Sequence, residues 1–161
     1  MKTSTLLSLP VALLFGMIVT CTAEPPVFKK LSDIITTAPV GSIPSGRTWT
    51  PVELAKASEA ISRHADGGSA ELAVKLLRIE NPNPDSATIR FSVVREDFRA
   101  KGRPYAPSMV CSIARDKADR LLAAKEGTSL KMRGTITSAK IGGNGIAPIL
   151  YVSFDRCESV E

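Results

Sequence analysis

The sequence predicts a mainly β domain with helices, of the α+β class: a five-stranded barrel with a helix between its third and fourth strands, preceded by an N-terminal helix. Three observations predict it. Apolar residues recur at helical spacing between Leu54 and Ala65 and again after Asp116, whereas in the segments beyond Gly68 they mostly alternate with polar ones, the period of a half-buried strand. Clusters of Gly, Pro, Asn and Asp separate these alternating segments. The chain has 161 residues, 43% hydrophobic and 23% charged, which suits one globular domain with a buried core.

The first residues follow a different pattern. Lys2 gives a basic start, Leu6 to Val19 is an apolar run broken only by Ser8, Pro10 and Gly16, and Cys21-Thr22-Ala23 offers small residues for cleavage. Residues 1–23 are therefore expected to be a signal peptide cut after Ala23, and the mature protein to be periplasmic or secreted. The run is shorter than the roughly 20 residues needed to cross a bilayer, so no transmembrane segment is expected in the mature form. An alternative is a lipoprotein anchored at Cys21, since Ile18-Val19-Thr20-Cys21 loosely follows a lipidation signal. With the cut after Ala23 the formal charge falls from +5 to +4 on loss of Lys2, and two cysteines remain, Cys111 and Cys157. An even count in an oxidising compartment favours a disulfide between them over two buried free thiols.

Residues 24–48 hold Pro25, Pro26, Pro39, Gly41, Pro44 and Gly46 around a brief apolar stretch from Leu31 to Ile35, and are expected to be a flexible arm or linker. The folded domain is expected over residues 49–161. Thr50-Pro51-Val52-Glu53 joins an N-cap, a proline at the first helical position and a capping-box Glu. Trp49 is placed to staple onto Leu54, and Gly67-Gly68 ends the helix. Leu72, Val74 and Leu76 share one parity while Leu77 and Ile79 take the other, so the first strand should contain a bulge. Asn81 to Asp85 turns the chain, and Ile89, Phe91 and Val93 face inward from the second strand.

A long connection from Asp97 to Ser108 leads to a third strand beginning near Met109. Asp116 can cap a short helix carrying Ala118, Leu121 and Leu122, with Gly127 beyond it. Leu130, Met132 and Ile136 mark the fourth strand, Gly142-Gly143-Asn144-Gly145 a hairpin turn, and Ile149 to Arg156 the fifth strand.

Five strands with a helix between the third and fourth is the arrangement of the oligonucleotide/oligosaccharide-binding (OB) barrel, in which the third and fifth strands are neighbours. Cys111 and Cys157 fall on those two strands. Cys157, however, shares the outward parity of Tyr151, Ser153 and Asp155, so pairing requires a local irregularity or a surface disulfide. Val110-Cys111, Gly127 with Leu130-Lys131-Met132-Arg133-Gly134, and Asp155-Arg156-Cys157 together resemble the tRNA_anti-like family of bacterial OB-fold proteins. Ile113 stands where that family often has an aromatic residue, and the loop from Lys140 to Ala147 is longer than usual. The resemblance implies a fold and leaves function open.

No catalytic constellation is visible. His64 is expected to be a solvated helix residue, Glu96-Asp97 and Asp116/Asp119 lack an apolar pocket, and Gly142, Gly143 and Gly145 lack the Lys and Ser/Thr of a phosphate loop. No metal and no cofactor are expected, because two cysteines and one histidine lack ligand spacing. The chain is thus expected to be an exported, non-enzymatic binding or interaction protein whose partner is an envelope protein or envelope component. The alternative is a binder of single-stranded nucleic acid or an acidic, anionic glycan. Its ligand-binding residues would be Arg90, Arg95, Arg99, Lys101, Arg103 and Tyr105 on the second strand and the loop after it, where positive charge and aromatic faces mix.

Overall fold

The computed structural model describes residues 24–44, 48–80, 87–94 and 97–160, all but the Val94 side chain; the expected leader, Cys21, the turn from Asn81 to Asp85 and Arg95 lie outside them. The fold is mixed α+β and mostly strand. In chain order it contains β1 (Val27–Phe28), α1 (Leu31–Thr36), α2 (Pro51–Ala65), β2 (Ser69–Ile79), β3 (Thr88–Val94), β4 (Phe98–Ala100), β5 (Arg103–Ala114), a 3-10 turn (Arg115–Lys117), α3 (Asp119–Leu122), β6 (Ser129–Gly143) and β7 (Pro148–Val160).

Five of the strands close into a ring. β2 pairs antiparallel with β3, β3 antiparallel with β5, β5 parallel with β7, β7 antiparallel with β6, and β6 antiparallel with β2. Alternation decides what lines it: Leu72, Val74 and Leu76 point inward from β2, Ile89, Phe91 and Val93 from β3, and Leu150, Val152 and Phe154 from β7, all buried. The expected bulge is a register shift between Leu76 and Arg78, which leaves Leu77 exposed.

Thr50 caps α2 as expected, its side chain accepting from the Glu53 amide at 3.3 Å while the Glu53 carboxylate accepts from the Thr50 amide at 3.0 Å. Ala57, Ile61 and Ala65 bury one face of the helix. α2 lies along β6, where the Ile141 amide donates to Ser58 Oγ at 3.1 Å and the Gly67 amide to the Ile136 carbonyl at 3.1 Å.

Three expectations are corrected. The segment anticipated as a flexible arm or linker packs into the core: β1 runs parallel to β2, and Phe28, Leu31, Ile34, Ile35, Ala38 and Ile43 are buried. Its prolines and glycines obscured an i, i+3, i+4 apolar stripe at Leu31, Ile34 and Ile35, which needs only six residues of helix to be buried. Asp33 organises that helix by accepting from the Lys29 and Lys30 amides at 3.2 and 2.9 Å. The third ring strand starts at Arg103 rather than near Met109, because residues 98–105 form a hairpin with β4. Asp116 does not cap the short helix; it sits inside the 3-10 turn, and α3 begins at Asp119 with no side-chain cap.

Candidate functional site

At one end of the ring the β4–β5 hairpin, the turn between β6 and β7 and the start of α2 meet. The hairpin turns at Lys101 and Gly102, with φ of 47° and 76°, a left-handed pair in which the glycine pays no Cβ penalty. Arg103 and Tyr105, two positions apart on β5, point inward together, with exposures of 5% and 1%. Arg103 Nη1 donates to the Gly145 carbonyl, which also accepts from the Trp49 amide at 3.2 Å. The guanidinium lies 4.5 Å from the Trp49 ring centroid, a cation–π contact. Trp49 meets Tyr105 edge to face at 6.4 Å, and Tyr105 stacks on Phe98 at 5.5 Å. Gly145 is required here, since a Cβ would collide with the Trp49 carbonyl oxygen.

Among the described residues, three buried polar atoms in this cluster find no hydrogen-bond partner: Trp49 Nε1, Arg103 Nε and Tyr105 OH. Trp and Arg can only donate. Burial pushes the Tyr105 phenol up to about 12, against the opposing pull of the Arg103 charge, so it too stays protonated as a donor. No carboxylate among the described residues pairs with Arg103. A buried guanidinium without an anion and two further idle donors form a set short of acceptors, the inverse of what unliganded burial tolerates.

The other expected ligand residues do not join it. Arg99 is exposed and donates to the Gly102 carbonyl at 3.1 Å. Lys101 lies near His64 and, after burial, is the second cause that lowers the His64 pKa. Arg90 is exposed and opposite Ser112, whereas Arg99 is opposite Pro104, eight positions back along β5. His64 is no free surface residue: it is half-buried, 2.8 Å from Thr37 Oγ1, with its ring edge-on to Phe28. Sequence reasoning missed Trp49 and Gly145 as site residues. Each looks purely local, a staple and a turn, and their contact spans the whole domain.

A cleft of about 280 Å³ opens on β3 and β5 beside Arg78, Glu80, Ser92 and Met109, but its polar groups serve one another, the Ser92 hydroxyl donating to Glu80. Among the described residues no three His, Cys, Asp or Glu side chains gather as a metal site.

At the opposite end of the ring, Cys111 and Cys157 are both buried, 4.0 Å apart and not bonded. The parity obstacle is resolved by a bulge. Arg133 faces Glu158 and Thr135 faces Asp155, so Gly134 alone opposes Arg156 and Cys157, and Arg156 takes a φ of 50° that turns Cys157 inward. Gly134 makes the room, a Cβ there lying 2.9 Å from Cys157 Sγ.

Comparison with known proteins found no matching family model, no matching curated protein and no matching solved structure.

Proposed function

We propose that this chain is an exported, non-enzymatic binding or interaction protein of the bacterial cell envelope, built on an OB-type ring and holding an anionic group of its partner at the Arg103 end. The pairing order of the ring supports the OB reading, with the parallel partners β5 and β7 as third and fifth strands. The leader-like residues 1–23 support export, and no described helix is long and apolar enough to cross a membrane. The observation that carries a binding role is the deficit of acceptors around Trp49, Arg103 and Tyr105. A carboxylate or similar oxyanion on an envelope protein or glycan supplies what those donors lack.

Trp49 is the single tryptophan, so its emission reports directly on this site. Titration with an acidic peptide, an acidic oligosaccharide and a single-stranded oligonucleotide, each at low and high salt, should give a saturable emission change with one of the two envelope-type ligands, weakened by salt. Arg103→Gln should abolish the change while leaving the circular dichroism intact. Unaltered emission with all three ligands, or an unaffected Arg103→Gln variant, overturns the reading; a response to the oligonucleotide alone replaces the envelope ligand with nucleic acid.

A further inference from the structure

The sulfur end takes no part in that binding site. We propose that Cys111 and Cys157 become a disulfide that bolts β5 to β7, installed by thiol–disulfide exchange before the ring closes over them. Two free thiols would need no special backbone. An apolar residue at ordinary inward parity would fill the same space, yet the chain reaches it with a two-against-one bulge, a non-glycine residue at φ 50° and a glycine cleared of side chain. Left-handed backbone at a residue such as Arg156 carries a cost, and it is kept where the surroundings demand it. Its effect here is to bring Cys157 within 4.0 Å of Cys111 on the neighbouring parallel strand.

The surroundings decide when the bond can form. Cys111 and Cys157 are 3% and 2% exposed, around an apolar void of about 10 Å³ that Leu72, Val74, Met132 and Phe154 help to line. In the closed dithiol the Cys157 sulfur and burial push the Cys111 thiol up, whereas the Cys111 thiol and the Ser112 amide lower Cys157, so it is burial that withholds both sulfurs from reagents. No oxidant reaches either sulfur in the closed ring. In the open chain, one cysteine thiolate attacks the disulfide of an oxidised protein or of oxidised glutathione, forming a mixed disulfide and releasing one thiolate. The other cysteine thiolate then attacks the sulfur of that mixed disulfide and expels the second. The chain loses two electrons and two protons, and the oxidant ends as two thiols.

The test uses the full chain. Made without export as the Cys21→Ser variant, so that Cys111 and Cys157 are the cysteines left, and kept reduced, the folded protein should give no reaction with Ellman's reagent and two thiols in denaturant. Oxidised glutathione added to folded protein should leave it unchanged. The same reagent present during refolding should give a species lighter by two hydrogens that melts on the order of 10 °C higher. The Cys111→Ala/Cys157→Ala variant should melt at one temperature whether or not oxidant is present. Protein recovered from the envelope and alkylated in denaturant should carry no adduct at either position. Free thiols after oxidative refolding overturn the disulfide whatever the compartment, and rapid oxidation of the folded ring overturns the order of events. This refolding result does not depend on the binding role of Arg103.

Discussion

The two ends of the ring solve the same steric problem with opposite chemistry. Each sets a glycine of β6 or the turn after it against an intruding group. At Gly145 the intruder is the backbone oxygen of Trp49, and at Gly134 it is the Cys157 sulfur. At the sulfur end the polar groups are few and satisfied, with donors converging on Cys157 inside an apolar shell. At the hairpin end one carbonyl serves two donors while three more donors find no acceptor among the described residues. Apolar, satisfied burial adds to stability, whereas an excess of buried donors subtracts from it until an acceptor arrives. The difference teaches which end is built to hold the fold and which to meet a partner.

That contrast can be broken in four ways. Gly145→Ala should have the largest effect, about 3 kcal/mol lost in urea unfolding, because backbone must move to admit the methyl group. A loss below about 1 kcal/mol would show that the hairpin tip is not held against α2. Next comes alkaline pH. The Tyr105 phenol ionises near its ordinary 10.0 when unfolded and near 12 when folded, so below pH 10 its contribution is constant. As pH rises through that window the unfolded state gives up its proton first and stability falls, by at most about 2.7 kcal/mol in all. Tyr105→Phe should flatten this slope and cost nothing at neutral pH, since the buried hydroxyl it removes has no partner.

Gly134→Ala in the reduced protein should cost about 1–2 kcal/mol, less than at Gly145, because a cysteine side chain can yield where a peptide oxygen cannot. Arg103→Met should change stability least, by under about 1 kcal/mol: relief of an unpaired buried charge offsets the lost hydrogen bond and ring contact. A drop of 3 kcal/mol or more, on the scale of breaking a buried pair, would make Arg103 a structural bolt and remove the contrast.

Local signals and long-range ones differed in how far they could be read. The Thr50 capping box and the parity of Leu72, Ile89 and Leu150 depend on residues within a few positions of one another, and the structure shows each; the turn expected at Gly142 to Gly145 falls later, because Gly142 and Gly143 still pair with Ile149 and Pro148. Arg103 and Tyr105 were visible as candidates from charge and aromatic character. Their burial was not, because it depends on the Gly145 carbonyl, 42 residues away from Arg103. The brief apolar stretch from Leu31 to Ile35 was visible as well, but not as a helical stripe, because its value depends on a ring to pack against.

By itself, the sequence determined the order of the five ring strands, of the capped helix before them and of the short helix between the third and fourth, which of their faces are apolar, and that two cysteines belong to strands destined to be neighbours. Only the tertiary structure decided that Cys157 turns inward, that residues 28–43 join the core, and that Arg103 lies buried over Trp49 with no carboxylate beside it among the described residues. Periodicity and capping act over a few residues and are written locally. Bulges, close approaches and unpaired burial arise only when distant segments compete for one space.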